Sequence, residues 1–491
     1  MARTTLSMHH IARIEGHGNV HVSIEDGKVR DVQMNIVEPA RLFESMVVGR
    51  SYDKISYIAS RICGICSSSH VVTDLLAIED AFGVEVSDRT RMLRELLVYG
   101  SYLQNHASHL FVFAAPDFAG EESLFPLAVT EPELFKGGLA IKALGNELCT
   151  KVGGRSIHPI TAVVGGFTHE MSSSEYIEMA DKLRDMRPFA ENVVDVFAAF
   201  PVPDIATKGD FLALHEKGHY AVVSGRPCFV KDGLEFDRAQ YRDYIEEYQV
   251  AHSAAYFSRR RDTQETFAAS ALARVNASWN ELTREARLAA AKAGLRPPSL
   301  NPYSNAAQAV ELVDVWRALR GECRASRGRE GSSKPVEFQP KVVGVGMTEL
   351  SAERLCTMWN SMKRVVGIGT SLRPRCTISA TLNTTSSRLQ SCLQTREPMR
   401  PLSALQKLAR AYDPCSCSVH PREQSALMQA GVQAHPCAFE GRAPTRCEAG
   451  FTTRTMLVKK KSGASWGVAF HGAASLCPLS YGRRNGCRNE A

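Results

Sequence analysis

Residues 61–66 read Arg61-Ile62-Cys63-Gly64-Ile65-Cys66. Two cysteines separated by two residues can turn both sulfurs to one side, where two thiolates reach one metal ion. Taken alone, the pair suits half a zinc site, a redox dithiol or two ligands of an iron–sulfur cluster. Gly64 permits a tight turn and close approach of backbone to a bound centre. Upstream lie Phe43-Glu44 and Gly49-Arg50, and before them Arg13-Ile14-Glu15-Gly16-His17-Gly18. In isolation Glu44 suits an ordinary helix face. Glu15 suits a surface turn, or a carboxylate aimed at a buried site. Far downstream, Asp413-Pro414-Cys415-Ser416-Cys417-Ser418-Val419-His420 adds two thiols and an imidazole. Four thiolates from two distant segments can make a soft-metal centre, zinc included.

The rest of the chain bounds these readings. It has 491 residues, 44% hydrophobic and 23% charged, the balance of a soluble globular protein of two or three structural units. No apolar run approaches the roughly 18 residues of a membrane span. Met1 to Gly18 holds no apolar signal-peptide core, which points to a cytoplasmic protein whose 14 cysteines are thiols or metal ligands. Charge is uneven: residues 1–320 carry 34 Lys and Arg against 41 Asp and Glu, whereas 321–491 carry 25 against 11. Such a basic end allows a rival of another class, a zinc-stabilised helical module with a nucleic-acid-binding tail.

Patterning predicts a mainly α protein with a small β-rich N-terminal lobe, about residues 1–40, then a helical core to 320. Val20, Val22 and Ile24 alternate, Asp26-Gly27 makes a turn, and a return strand runs from Val29 to Ile36. Ser87 caps a helix carrying Met92, Leu96, Leu103 and Leu110 on one face, with Gly100 and Ala107 small enough for close helix contact. Ser172 and Glu175 form a capping box, and Pro188 is expected to end or kink the helix that follows. Residues 238–257 and 268–293 read as amphipathic helices. Cys149 and Cys228 read as core thiols. Beyond 320 the periodicity fades, a helical stretch returns at Leu402 to Ala411, and 421–491 forms a basic extension.

Order and spacing together decide between the readings. R-I-E-G-H at 13–17, F-E-x(4)-G-R at 43–50, R-I-C-G-I-C at 61–66 and D-P-C…H at 413–420 resemble the large subunit of nickel–iron hydrogenases. Gln104-Asn105-His106, Ala115-Pro116-Asp117-Phe118, Gly153-Gly154-Arg155 and Val164-Gly165-Gly166-Phe167 also look like that family. The likeness runs over residues 5–318 and is greatest to the cytoplasmic, sulfhydrogenase-like or viologen-reducing-like branch. A related respiratory-complex subunit shares the fold without the metal, but it lacks the paired cysteines.

The resemblance implies a catalytic subunit that cleaves dihydrogen reversibly and heterolytically. Cys63 and Cys415 would be terminal nickel ligands; Cys66 and Cys417 would bridge nickel to an iron carrying cyanide and carbonyl. Cys415 would take the proton first and Glu15 would relay it. Glu44 and His420 match magnesium ligands, and Asp117 and His70 match positions that surround the cofactor. Implied partners are an iron–sulfur small subunit, further electron-transfer subunits, a maturation protease and nickel-insertion proteins, with no nucleic acid and no membrane span.

Three departures stand out. The second pair is one residue short, Cys415-Ser416-Cys417. The family's A-P-R-G-T motif is absent: Gly344 to Glu349 resembles its lead-in, but Leu350-Ser351-Ala352-Glu353-Arg354 follows. The chain also continues 71 residues past His420. Read one base out of register, the codons of Ser351 to Asn360 can spell R-G-T-L-V-H-H-V-E, as the family's motif continues. Part of 321–400 is therefore expected to be translated out of frame, the alternative being real divergence of 321–420 with a basic interaction tail.

Overall fold

The alternation at Val20, Val22 and Ile24 forms β2 (Gly18–Glu25), which returns as β3 (Lys28–Ile36). An unforeseen strand, β1 (Arg3–Met8), pairs antiparallel with β2, Thr4 opposite Ile24 and Met8 opposite Val20. The inward side chains Val20, Val22, Val32, Met34 and Ile36 belong to the same core cluster as the helices, so the sheet is one wall of the helical body.

The computed structural model describes residues 3–26, 28–37, 42–202, 206–207, 209–301, 305–325, 343–351, 354–362, 365–367, 406–407 and 409–411. The chain divides into Met1–Gln424 and Ser425–Ala491, and every described residue lies in the first unit. Helices hold about half of the described residues. The expected basic extension from 421 lies outside them.

Short helices α1 (Leu42–Val47) and α2 (Tyr52–Ala59) lead to the cysteine turn and then to α3 (Ser67–Phe82). Next, α4 (Asp88–Ala107) starts as its sequence dictates, with Ser87 accepting from the backbone N–H of Thr90. It continues as a π-helical turn, Ser108–Ala114, and α5 (Ala115–Ala119). After α6 (Leu127–Thr130) comes α7 (Pro132–Gly153), packed flush on α4. A Cβ at Gly100 would come within 2.8 Å of Cys149 Sγ, and one at Gly145 within 2.7 Å of the backbone nitrogen of Gln104. Small residues are thus what let these two helices touch, as expected for Gly100.

A two-residue hairpin, β4 (Ala162–Val163) and β5 (Gly166–Phe167), precedes α8 (Ser173–Ala199), whose capping box between Ser172 and Glu175 is present. Pro188 does not end this helix. The buried stripe Tyr176, Met179, Leu183, Ala190, Val193, Val194 and Phe197 stays on one face across the proline. Packing of that stripe offsets a cost of roughly 3 kcal/mol for proline in a helix interior.

The next segment forms a four-stranded sheet in the order β11-β6-β7-β8: β6 (Asp210–His215), β7 (Arg226–Phe229) and β8 (Leu234–Glu235) pair antiparallel, and β11 (Phe267–Ala268) joins β6 in parallel. The helix expected over 238–257 is not there. A single 3-10 turn and α9 (Tyr241–Tyr244) give way to an antiparallel pair, β9 (Ile245–Gln249) and β10 (Tyr256–Arg260). The aromatic residues Tyr248, Tyr256 and Phe257 favour a pleated surface, and this preference outweighs the weak helical period. The expected stretch 268–293 is two helices, α10 (Ala271–Ala277) and α11 (Arg284–Lys292), interrupted where Thr283 caps the second.

Helix α12 (Ala306–Ala325) runs past the position where the apolar period fades. Then β12 (Val343–Glu349) leads a three-stranded sheet with β13 (Arg354–Met362) and β14 (Val365–Gly367). β12 lies antiparallel against α3: a Cβ at Gly344 would collide with the backbone of Ala77 and Ala81, and one at Gly346 with the Thr73 carbonyl. Thr348 bonds Thr73, and Val345 N–H donates to Asp80 Oδ2 at 2.9 Å. The strand therefore ends at the N-terminal end of α3, beside the cysteine turn.

Candidate metal centre

Cys63 and Cys66 are buried, at 3% and 2% exposure, and neither is in a disulfide. Cys66 is the residue before α3, and its backbone N–H donates to Cys63 Sγ at 3.5 Å. The positive end of a helix dipole and an N–H aimed at sulfur both favour thiolates. Side chains fix the turn: Ser67 Oγ donates to Gly64 O at 3.1 Å and accepts from His158 N at 2.9 Å, and Ser101 Oγ donates to Ile65 O at 3.1 Å.

Glu15 meets this turn. Cys63 Sγ donates to Glu15 Oε1 at 3.4 Å, across 48 residues of sequence. The loop that carries Glu15 links β1 to β2 rather than preceding the first strand, and it bends through Arg13 at φ 59° and Gly16 at φ 85°. Arg13 anchors it, with Nη1 on Phe113 O at 2.8 Å and Nη2 on Asp117 Oδ1 at 2.6 Å.

Asp117 is buried and gripped from the other side by Arg410, Nε to Oδ2 at 2.6 Å and Nη2 to Oδ1 at 2.7 Å. Arg410 Nη1 also donates to Ala12 O at 2.9 Å, and Lys407 Nζ to Asp117 O at 2.7 Å. Residues 406–407 and 409–411 are helical, as expected for 402–411. Burial and the neighbouring Arg410 together pull the Arg13 guanidinium below its usual pKa, with Asp117 working against them. Asp117 therefore joins the Glu15 loop to the helix that leads into Asp413-Pro414-Cys415.

Other expected site residues are placed in part. His70 is buried one turn into α3, and its backbone N–H donates to Cys66 O at 3.2 Å. Glu44 lies on α1, but its side chain is outside the description, as are Cys415, Cys417 and His420. Among the described residues, no group of three or more His, Cys, Asp or Glu could hold a metal ion. What is described is two buried sulfurs at a helix N-terminus, a donor pair whose chemistry suits a soft metal.

Sequence reasoning missed a fully buried ionic network behind the cysteine turn. Arg274 of α10 donates from Nε to Glu311 Oε1 at 2.6 Å and from Nη2 to Glu311 Oε2 at 2.8 Å. His106 Nε2 lies 2.8 Å from Glu311 Oε2, and Tyr220 OH donates to Oε1 at 2.6 Å. Burial opposes the Glu311 carboxylate, but Arg274 and His106 outweigh it and hold its pKa down to about 2. Burial likewise pushes the Tyr220 phenol up. The available signal was a single charge inside apolar helical runs, Ala271-Leu272-Ala273-Arg274-Val275 and Ala309-Val310-Glu311-Leu312-Val313.

A model of the family described as nickel-dependent hydrogenase matches residues 41–124, and a HoxL-like model matches residues 5–38. The alpha chain of sulfhydrogenase 1 from Pyrococcus furiosus is 31% identical over 427 residues, covering 84% of this chain and 97% of that one. The corresponding chain of the F420-non-reducing hydrogenase vhc from Methanococcus voltae is 27% identical over 457 residues, covering 85% and 95%. Among solved structures, an NAD+-reducing [NiFe]-hydrogenase in the H2-reduced state superposes with a TM-score of 0.75 at 23% identity, over 85% of this chain and 99% of that one. At that identity the superposition speaks for the fold.

Proposed function

The chain belongs to the nickel–iron hydrogenase large subunits, oxidoreductases acting on dihydrogen, and from that premise we propose which of its residues carry the reaction. Cys63 and Cys66 hold one side of a nickel–iron centre, and Cys415 and Cys417 supply the other. Carbonyl and cyanide would complete the iron, and Glu44 and His420 would hold a magnesium ion. When bound, that centre supplies the heterolytic cleavage of dihydrogen. The protein's own work is to hold the sulfurs, keep bulk water away and move the proton.

The observation that carries this reading is the 3.4 Å contact between Cys63 Sγ and Glu15 Oε1. A carboxylate within hydrogen-bond reach of a ligand sulfur can accept a proton from it and pass it outward. Cys63 is the described thiol in reach of Glu15; Cys415, named for this role by resemblance, lies outside the described residues. Cys415 is five positions on from Arg410, a reach of at most roughly 18 Å for an extended chain. Arg410 bonds Ala12, three residues before Glu15, so that reach supports bringing Cys415 to the same centre.

Electrons leave through an iron–sulfur small subunit, then through further electron-transfer subunits. A maturation protease and nickel-insertion proteins complete the site, and the active chain ends at His420. The family resemblance supports a cytoplasmic location; among the described residues no helix is long and apolar enough to cross a membrane. The one-residue-short Cys415/Cys417 pair and the loss of the A-P-R-G-T motif support a second reading, in which part of 321–400 is out of frame and this copy is inactive as written.

Metal analysis separates the readings. Chain matured with its accessory proteins should contain nickel and iron and show infrared bands of bound carbonyl and cyanide. Cys63→Ser should abolish nickel incorporation, because a neutral hydroxyl is a poor ligand for a soft metal. Zinc alone, without those bands, would remove the catalytic assignment, and resequencing the coding DNA over 321–420 tests the frame.

A further inference from the structure

The antiparallel pairing of β12 with β13 begins at Glu349 opposite Arg354, so the carbonyls of Leu350 and Ser351 face the turn without a strand partner. Both residues are buried, at 2% and 1% exposure. A buried carbonyl needs a donor. Arg274 supplies it, Nη1 to Leu350 O at 2.7 Å and Nη2 to Ser351 O at 3.0 Å. Tyr102 OH adds a bond to Leu350 O at 3.4 Å, and the guanidinium lies 5.0 Å from the centre of the Tyr102 ring. Glu311 fixes the guanidinium from behind through both of its oxygens. The residue before the turn is held as well: Leu214 N–H donates to Glu349 Oε1 at 2.6 Å and Glu349 N–H to Val222 O at 2.8 Å.

What this clamp presents is the Leu350 side chain, which forms a small buried cluster with Cys63 and Cys66, Ile65 packing against it. We propose that Arg274 is a positioning residue for the cysteine pair: by pinning the Leu350 and Ser351 carbonyls it holds Leu350 over Cys63 and Cys66 and keeps both sulfurs from water. A guanidinium suits this task because its planar fork of five N–H groups can bind a carboxylate and two carbonyls at once. Lysine has three donors on one nitrogen and cannot span the same acceptors. The inference deepens the proposed role of the cysteine pair, but its test needs no metal. Failure of one therefore leaves the other standing.

The test is thiol accessibility in the full chain purified without metal. Each cysteine is labelled with iodoacetamide under native conditions and quantified peptide by peptide, with buried Cys228 on β7 as the gauge of global opening. Arg274→Lys is expected to speed labelling of Cys63 and Cys66 at least tenfold while Cys228 keeps its wild-type rate. Leu350→Ala, which leaves the clamp intact, should expose the same two sulfurs. Arg94→Lys, in the buried pair with Glu79, should raise the cysteine pair no more than Cys228. Should Arg274→Lys fail to fold, Glu311→Gln carries the test, with a rise of roughly threefold confined to the pair. Labelling that rises in proportion at Cys228, or stays at the wild-type rate for the pair in a folded clamp variant or in Leu350→Ala, would overturn the proposal.

Discussion

Arg410 binds Asp117 through two parallel bonds, at 2.6 and 2.7 Å, although 293 residues separate them in sequence. The same carboxylate also holds Arg13. One buried anion thus ties the Glu15 loop, α5 and the helix that precedes the second cysteine pair in sequence. A bidentate guanidinium–carboxylate pair fixes direction as well as distance, so Asp117 fixes the placement of Arg410.

Asp117→Asn should therefore release residues 406–411. It leaves the buried Arg410 and the half-buried Arg13 guanidinium groups without their counter-charge, a loss of about 3 kcal/mol or more. Trypsin cleaves after Lys407 and Arg410, and both bonds should be protected in the native chain. Cutting there in Asp117→Asn under conditions that spare wild type is the expected result; equal protection in both chains counts against the clamp.

The contact of β12 with α3 makes a second prediction. Gly346→Val would drive a side chain into the Thr73 carbonyl, where strand and helix backbones meet and neither can give. Overpacking costs about 1–3 kcal/mol when side chains can shift, and here the upper end or beyond is expected as a fall in thermal midpoint. Gly64→Ala, whose Cβ would come no nearer than 4.0 Å to Ile157, should leave the midpoint almost unchanged. Similar melting of the two variants would contradict the described packing.

Acid titration tests the buried network. The folded pKa of Glu311, about 2, lies below its ordinary 4.5. A lowered carboxyl pKa contributes stability that is present above the unfolded value and lost as pH falls through the folded value. A shift of this size corresponds to something on the order of 3 kcal/mol. Between about pH 4.5 and 2 wild type should lose stability more steeply than Glu311→Gln, and the two unfolding curves should converge at the acid end. Parallel curves across that window would show that Glu311 is not charged in the folded chain.

Legibility of the sequence followed the range of the interactions. The Ser87 cap, the Ser172–Glu175 capping box and the Gly100 contact were readable because each rests on near-neighbour chemistry or one small residue. The strands at 245–260 were not, since their pairing depends on a partner strand and on Arg260 reaching Asp210 at 2.6 Å, 50 residues away. Cys63, Cys66 and Glu15 stood out as motif residues, and the fold brings Glu15 to Cys63. Arg274 and Glu311 did not stand out, because a lone charge in an apolar helix declares no partner until the helices are packed.

Glu15 offers the most direct test of proton movement. Oxidation of one dihydrogen yields two electrons and two protons, which must leave by different routes, and a thiol that keeps its proton halts turnover. Glu15 sits on a loop held by Arg13, with one oxygen 3.4 Å from Cys63 Sγ, so it is anchored and within reach of the site. Glu15→Gln keeps the shape and much of the hydrogen bonding but cannot carry a proton. In a chain given the family's full C-terminal motifs, this variant should assemble the nickel–iron centre with unchanged metal content and infrared bands. It should lose most dihydrogen-driven dye reduction, by roughly the 10²–10⁴-fold that a positioned acid–base group contributes. Conversion between para- and ortho-dihydrogen should persist, because there the proton leaves and returns locally. Were Glu15 only a turn residue, the substitution would change little, as surface substitutions usually do. Near-normal dihydrogen oxidation with full metal content would retire the relay while leaving the cysteine assignments in place.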